Sequence, residues 1–340
     1  MAATLPTRKL GNAVSTAVGF GAMSISAFYG APKPDEVRMK FLDELYASGC
    51  RHWDTANTYG DSEELLGRWF KRTGKRNEIF LATKFGIVMG DGKPTTVNGS
   101  PEYCNAQIET SLQRLGVDYV DLFYLHRPDP TIPIEKTVGA MKELVEAGKV
   151  RQIGLSECNA DTIRRAYAVH PIAAVQVEYS LFTLDVERPK IDILRTAREL
   201  GISVVAYSPL GRGLLTGRYA SPDDFQPDDG RRYLPRFSAD NFPKVNEAVA
   251  AVAAIAKKHN ATSGQVALAW LLAQGDDIIP IPGTTRIENL QENLGALKLK
   301  LSDEDIAEVR RLAEAVDGTI GAKHTEVGLK LLYADTPKLD

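Results

Sequence analysis

The strongest constraint on the fold of this 340-residue chain is a repeated alternation of short apolar runs with amphipathic segments. Eight runs have the length and composition of strands, and most precede a segment with apolar residues at helical spacing. Several runs, such as Ile79–Thr83 and Val120–Leu125, are almost continuously apolar, which is typical of strands buried on both faces. The alternation therefore predicts a parallel sheet with helices packed around it.

Two architectures accommodate such a sheet, a closed barrel and an open doubly wound sheet. Eight strand–helix units in about 300 residues suit a barrel with an outer ring of helices. The open sheet is disfavoured because the first strand–helix turn, Gly19–Met23, lacks the full GxGxxG spacing, and no acidic residue stands at the expected later strand end. We predict an α/β fold, a (β/α)8 TIM barrel in one domain over residues 1–340, with a core at about 7–315 and a tail at 316–340.

The expected elements follow from apolar periodicity and from start and stop signals. An N-terminal β-hairpin is expected around Gly11-Asn12, extra helices are expected at the C-terminus, and Gly86–Ser100 and Tyr207–Asp240 are expected to be long loops. The predicted barrel strands are Ala17–Phe20, Cys50–Trp53, Ile79–Thr83, Val120–Leu125, Val150–Leu155, Ala173–Val177, Ile202–Ala206 and Ile278–Ile281. The first predicted helix begins at Pro34. The other predicted helices span Asp61–Lys71, Pro101–Leu115, Pro133–Ala147, Ala160–Val169, Val186–Leu200, Val245–His259, Thr262–Ala273, Arg286–Leu294 and Asp303–Ala315.

Composition narrows the possible function classes. The net charge is −3 and the lysines and arginines are scattered, which argues against a nucleic-acid groove or an anionic membrane surface. The N-terminus carries no secretory signal, and no apolar run approaches membrane-spanning length. Cys50, Cys104 and Cys158 form neither a metal-binding pattern nor a disulfide framework. These features predict a cytoplasmic protein with idle thiols and no bound metal.

The distinctive polar residues stand where predicted strands end. Asp54 and Tyr59 lie in the segment Trp53–Gly60, between a strand and a helix. Lys84 and His126 follow two later strands. Barrel closure gathers the C-terminal strand ends on one face, where the chemistry of such barrels is built. The same rim should carry Ser156, Gln176, Tyr207 and the turn from Pro282 to Arg286.

Taken singly, each of these residues has an ordinary structural explanation. Asp54 can cap a helix, and Tyr59 can be a half-buried surface aromatic. Lys84 can be a solvated charge, and His126 can be a hydrogen-bonded structural histidine. Taken together, they form an acid–base device. An ammonium would lower the tyrosine pKa from about 10, and a carboxylate would pair with the ammonium. An imidazole would donate a hydrogen bond to an oxygen that gains charge. Such a device suits carbonyl reduction, and because no side chain supplies a hydride, it needs a nicotinamide cofactor.

The segments around these positions resemble motifs of the aldo-keto reductase superfamily. The matching segments are W-D-T-A-N-T-Y-G at 53–60, A-T-K-F-G at 82–86, L-H-R-P-D at 125–129, G-L-S-E at 154–157, V-Q-V-E-Y-S at 175–180, A-Y-S-P-L-G-R-G at 206–213 and I-P-G-T-T-R-I-E-N-L-Q-E-N at 281–293. They run in order over essentially the whole chain. Within the superfamily, the sequence looks like the pyridoxal and perakine reductase-like, auxin-induced-like branch.

This resemblance implies NADP(H)-dependent reduction of aldehydes or ketones to alcohols on a barrel closed at the bottom by the N-terminal hairpin. Tyr59 would be the general acid, supported by Asp54 and Lys84. His126 would orient the substrate carbonyl. The cofactor-binding residues implied by the resemblance are Gly21, Ala22, Met23, Asp54, Ser156, Glu157, Gln176, Tyr207, Ser208, Pro209, Leu210, Gly211, Arg212, Gly213, Leu214, Leu215, Thr216, Gly217, Arg218, Pro282, Gly283, Thr284, Thr285, Arg286, Asn289, Glu292 and Asn293.

Three positions depart from the family pattern. Glu157 stands where many relatives have Asn, and a carboxylate cannot donate to the oxygen of the nicotinamide carboxamide. Gly283 and Asn289 replace a Lys and an Arg that many members use near the 2′-phosphate. The 2′-phosphate would then depend on Arg286, whose fork suits it, together with threonine hydroxyls and helix N–H groups. NADPH is still expected to be preferred over NADH.

A second function is compatible with the same motifs. Channel β subunits built on this fold keep much of the site, so the alternative is a non-catalytic or weakly catalytic nicotinamide-sensing subunit. The lack of a long N-terminal extension weakens this alternative. A metal-dependent barrel hydrolase is set aside because, of the five histidines, only His126 is well placed at the C-terminal end of a strand.

The motifs leave the substrate open. The expected partner is a small-molecule carbonyl compound, with no nucleic acid and no membrane as partners, and the oligomeric state is not readable from the sequence. The candidate substrate regions are the loop Ser24–Lys33, the loop Ile87–Ser100, Arg127, the segment after Tyr207 and the C-terminal tail. Phe28 and Tyr29 would either face the substrate or serve in packing.

Overall fold

The computed structural model describes residues 5–90 and 93–339 of the chain. Eight parallel strands form one curled sheet in chain order. The Gly19 N–H donates to Pro280 O at 2.9 Å, which joins the first strand segment to the last. The strands are Phe20–Gly21, His52–Asp54, Phe80–Phe85, Val120–Leu125, Val150–Ser156, Ile172–Glu178, Ser203–Tyr207 and Ile278–Pro280. The predicted (β/α)8 barrel is confirmed.

The predicted N-terminal hairpin is also confirmed, with antiparallel strands Thr7–Leu10 and Ala13–Thr16. It covers the N-terminal end of the barrel, where the Asn12 N–H donates to Gln152 Oε1 at 2.5 Å. Ser203 Oγ donates to Lys9 O at 3.1 Å on the same side. Because the hairpin closes this end, the opposite end of the barrel is the one free to form a ligand site.

Strand alternation places two kinds of side chain on the two faces of the sheet. One apolar cluster lies between the sheet and the helices, and a smaller one fills the barrel interior. Phe80 and Ala82 belong to the interior cluster, whereas Leu81 belongs to the outer one. By the same parity Lys84 points into the barrel, just beyond this apolar plug.

Twelve α-helices are described in residues 5–90 and 93–339. The capping box expected at the start of one of them is present, with Thr262 and Gln265 bonded reciprocally. Pro101–Leu115 has its predicted bounds, and Ser100 caps it. The helices are Met23–Ser26, Asp35–Ala47, Ser62–Thr73, Pro101–Leu115, Ile134–Glu146, Ala160–Val169, Ile193–Leu200, Phe242–Lys258, Ser263–Ala273, Ile287–Gly295, Asp303–Val316 and Glu326–Lys330.

Two sequence predictions of local structure were wrong, and one short helix of the tail gave no periodic signal in the sequence. The helix expected over Val186–Leu200 begins only at Ile193, because Pro189 restricts the residue before it and Asp192 adopts a left-handed φ of 56°. The predicted loop Gly86–Ser100 contains antiparallel strands at Ile87–Gly90 and Lys93–Val97, with residues 91 and 92 outside the described part. The tail, which showed no period, contains the helix Glu326–Lys330.

Two further observations concern the described residues. None of their helices is both long enough and apolar enough to cross a membrane. The three cysteines are buried and unpaired, and no group of three potential metal ligands occurs within 5–90 and 93–339.

Candidate active site

A cavity of about 1,200 Å³ opens at the C-terminal end of the barrel. This volume exceeds the roughly 300–1,000 Å³ that is typical of pockets for drug-sized ligands. Its lining comes from the barrel strand ends, the segment after Tyr207 and the last strand–helix turn. The cavity is therefore large enough for a dinucleotide together with a small second ligand.

Lys84 is the buried centre of the polar group at the base of this cavity. Its side chain is 0% exposed, and its ammonium donates to Asp54 Oδ1 and, at 2.7 Å, to Thr55 O. Burial alone would lower the pKa of Lys84, but attraction to Asp54 and then to Tyr59 outweighs it and raises that pKa. Lys84 is therefore protonated near neutral pH and places a positive charge at the base of the cavity.

Tyr59 reaches this charge from the turn that follows the second barrel strand. Its hydroxyl lies 3.5 Å from Lys84 Nζ, and its ring lines the cavity. That separation is long for a hydrogen bond, but such contacts are often loose before a substrate binds. Gly60 allows the turn to approach the neighbouring loop, since φ is 57° and a Cβ there would meet Ser26 O at 2.5 Å.

His126 stands on the other side of the Tyr59 ring. The two ring centroids are 5.8 Å apart in an edge-to-face arrangement. Burial, followed by the charges of Arg127 and Lys84, lowers the pKa of His126 well below its usual value. The imidazole is therefore neutral near pH 7, so it can donate one N–H rather than carry a charge.

A link across the barrel completes the support of Lys84. Gln176 Nε2 donates to Asp54 Oδ2 at 2.8 Å, while Asp54 Oδ1 accepts from Lys84. Both carboxylate oxygens are thereby satisfied in a buried site, which offsets the cost of burying the charge. This contact was not foreseen from sequence, and it uses one of the two amide N–H donors of Gln176, a residue expected to bind the nicotinamide carboxamide.

Arg127 and Glu157 follow two neighbouring barrel strands, and only Arg127 lines the cavity. Arg127 donates to His126 O at 2.7 Å and to Ser156 Oγ at 3.3 Å. Glu157 has a left-handed φ of 55° and is 0% exposed. Its Oε1 accepts from the Glu178 N–H at 3.0 Å, and it does not line the cavity. The structure thus gives Glu157 a backbone partner within the protein.

The segment after Tyr207 crosses the outer part of the cavity. Arg218 is bonded to Asn289 Oδ1, and its Nη2 lies 2.5 Å from Glu292 Oε2 on helix Ile287–Gly295. Deeper in, Arg212 Nη2 lies 3.1 Å from His324 Nε2 of the tail. The segment is thereby attached to the last helix of the barrel and to the tail.

The structure brings most of the predicted site residues to one cavity. Those that line it are Gly21, Met23, Phe28, Tyr29, Asp54, Tyr59, His126, Ser156, Gln176, Tyr207, Ser208, Pro209, Leu210, Arg212, Gly213, Thr216, Arg218, Pro282, Gly283, Thr284, Thr285, Arg286, Asn289, Glu292 and Asn293. Those that do not line it are Ala22, Lys84, Glu157, Gly211, Leu214, Leu215 and Gly217. Leu214 and Leu215 instead anchor their segment in the outer apolar core.

Other lining residues were not assigned to the site from sequence. His324 and Thr325 come from the tail, which carried no periodic signal. Arg231 lines the cavity from the long loop and lies over the Tyr29 ring at 4.8 Å. The segment after Tyr207 and the tail were candidate substrate regions as a whole, but the sequence did not single out these residues, because their position depends on how the long loop and the tail fold back.

A barrel with this polar group at its C-terminal end defines a class of oxidoreductase, and the comparisons specify the family. The Aldo/keto reductase family model matches residues 17–314, so the chain belongs to the aldo/keto reductase family. It is 58% identical over 340 residues to "Aldo-keto reductase str7" of Strobilurus tenacellus, covering 98% of this chain and 99% of the relative. It is 50% identical over 342 residues to "Aldo-keto reductase yakc [NADP(+)]" of Schizosaccharomyces pombe, with 99% of both chains covered.

A solved structure agrees with this assignment. The glycerol dehydrogenase AKR11B4 from Gluconobacter oxydans superposes with a TM-score of 0.81 at 28% identity. The match covers 91% of this chain and 95% of that one. The protein is therefore an oxidoreductase of this family in both sequence and fold.

Proposed function

We propose that the protein reduces aldehydes or ketones to alcohols with NADPH, and that Tyr59 is the proton donor. The observation that carries this proposal is the position of the Tyr59 hydroxyl, 3.5 Å from Lys84 Nζ and at the surface of the cavity. The name of the fission-yeast relative, which specifies NADP(+), supports the cofactor. The reductase names of the relatives favour a catalyst over a nicotinamide-sensing subunit.

The cavity suits a nicotinamide dinucleotide in size and in its polar lining. Ser156 and Tyr207 line its inner part, and Arg218, Thr284 and Arg286 line its outer part. An aromatic ring and a hydroxyl suit a nicotinamide, whereas guanidinium groups suit phosphates. Bound there, the nicotinamide would supply the hydride to the carbonyl carbon.

The protein's own residues handle the proton and the charge on oxygen. Tyr59 donates its phenolic proton to the carbonyl oxygen as that oxygen becomes an alkoxide. Lys84 stabilises the phenolate that remains, because its ammonium faces the Tyr59 oxygen. Asp54 holds the ammonium in place and keeps it charged inside the barrel.

His126 orients the substrate and does not supply the proton in this mechanism. Its Nδ1 is buried without a hydrogen-bond partner among the described residues, and this mechanism places the single proton of the neutral ring on Nε2. An Nε2–H donor next to Tyr59 holds the carbonyl oxygen between the imidazole and the phenol. Two donors on one oxygen position the carbonyl for attack at carbon.

The preference for NADPH rests in this proposal on Arg286 at the outer edge of the cavity. Its guanidinium is 61% exposed and can swing onto a phosphate. The narrower assignment to the pyridoxal and perakine reductase-like, auxin-induced-like branch remains part of the proposal. It rests on the motif variants G-L-S-E at 154–157 and I-P-G-T-T-R at 281–286.

The reaction is tested by following the loss of NADPH absorbance with a panel of aliphatic and aromatic aldehydes and ketones. We expect turnover well above the rate without a carbonyl compound, and one alcohol formed per NADPH consumed. Chromatography of the products provides the stoichiometry. If the protein binds NADPH but oxidises it no faster with any carbonyl than without one, the sensing function replaces the catalytic one.

A further inference from the structure

Lys33 lies beside the turn from Pro282 to Arg286, the part of the cavity that the family resemblance assigns to the cofactor. It ends the loop Ser24–Lys33, which the sequence suggested as a substrate region, yet its Nζ donates to Thr285 O at 3.1 Å. Both residues line the cavity, and Thr285 belongs to the turn that precedes helix Ile287–Gly295. The ammonium of Lys33 thus stands beside Arg286, on a different segment of the chain.

The charges at this edge of the cavity do not balance. Arg286 Nε lies 3.5 Å from Glu288 Oε2, a loose contact between side chains that are 61% and 73% exposed. The Glu288 pKa is lowered first by its own backbone N–H, then by Arg286, and further by Lys33. Two cations therefore lie near one exposed carboxylate, so Lys33, Arg286 and Glu288 together carry a net positive charge at this edge.

We propose that Lys33 is a specificity-determining residue that binds the 2′-phosphate of the cofactor together with Arg286. It supplies the second cation that the chain lacks at Gly283 and Asn289, from a different segment of the chain. A phosphate monoester accepts hydrogen bonds from several sides, so an ammonium and a guanidinium on two segments can share it. This inference rests on the proposed use of NADP(H).

The charge of Glu288 should oppose phosphate binding at this site. Its carboxylate would repel a phosphate held by Lys33 and Arg286. Since 73% of its side chain is exposed, it can turn into solvent when the phosphate arrives. Removing its charge should therefore strengthen phosphate binding, whereas removing the charge of Lys33 should weaken it.

The test measures the binding of adenosine 2′,5′-bisphosphate and of 5′-AMP by calorimetry, which needs no turnover. Lys33→Met should weaken binding of the bisphosphate by about tenfold, the cost of one charged contact, and change 5′-AMP affinity by less than about twofold. Lys33→Arg should restore most of the loss, and Glu288→Gln should tighten binding of the bisphosphate alone. Lys142→Met, on the outer helix Ile134–Glu146, is the matched control and should change neither affinity.

Two results would overturn the role of Lys33. Equal weakening of both ligands in Lys33→Met would mean that the lysine only fastens the loop to Thr285. Unchanged affinities would mean that it contributes nothing. Either result leaves carbonyl reduction intact, whereas a wild-type protein that binds both ligands equally would contradict the NADP(H) proposal itself. Thermal unfolding of each variant verifies that the fold is retained.

Discussion

The two ends of the cavity differ in how deeply their charged side chains are buried. At the proposed reaction end, Asp54, Lys84 and His126 project from barrel strands or their ends and are at most 7% exposed. At the proposed nucleotide end, Arg218 and Arg286 lie on loops with side chains that are 37% and 61% exposed. The first region is fixed by the barrel, whereas the second is held by a few ion pairs at the surface.

This difference teaches where precision is needed in such a protein. Charges buried in the barrel interact strongly and have few alternative conformations, which suits proton transfer to a defined oxygen. Exposed charges are screened by salt and by water, which suits reversible binding of a large ligand that must enter and leave. Substitutions at the reaction end should therefore affect the chemical step and folding, whereas those at the nucleotide end should affect cofactor affinity.

The largest effect is expected from Lys84→Met. This change leaves the Asp54 carboxylate buried without its ion-pair partner, which should cost about 3–5 kcal/mol of unfolding free energy. It also removes the charge that stabilises the Tyr59 phenolate, so kcat should fall by about 10²–10⁴-fold. Denaturant unfolding and steady-state kinetics measure the two effects separately, with Lys142→Met as the surface control. Native stability with normal kcat would show that the barrel does not depend on this pair.

A smaller and more selective effect is expected from Arg286→Ala. The Michaelis constant for NADPH should rise by about tenfold because one charged contact to the 2′-phosphate is lost. The constant for NADH should hardly change, and the difference between wild type and variant should shrink as salt is added. Steady-state kinetics with both cofactors at low and high ionic strength provide the comparison. Equal changes for NADPH and NADH would remove Arg286 from phosphate recognition.

The reaction end was largely predictable from sequence, because it follows from local rules and barrel closure. Lys84 has the same strand parity as Phe80 and Ala82, which lie in the barrel interior, so a polar residue two positions later must face the same interior. The motif around Asp54 and Tyr59 then places the other groups at neighbouring strand ends. The distances between these groups are known only from the three-dimensional structure.

The remaining features were not predictable, because they depend on single dihedral angles or on contacts between distant segments. Gln176 bonds Asp54 from 122 positions away, which no periodicity encodes. Glu157 turns away from the cavity through a left-handed backbone conformation. His324 reaches Arg212 only because the tail folds back over the barrel end. The contact of Lys33 with Thr285 joins segments 252 positions apart, so it could not be read from the sequence either.

The role of Tyr59 as proton donor is tested most directly by the single-turnover rate of Tyr59→Phe with NADPH and a reactive aldehyde. The variant keeps the ring against His126 and loses only the hydroxyl that faces Lys84. We predict a rate about 10²–10⁴-fold below wild type, with NADPH affinity unchanged within about twofold. A rate within a few-fold of wild type would show that another group donates the proton and would contradict the account.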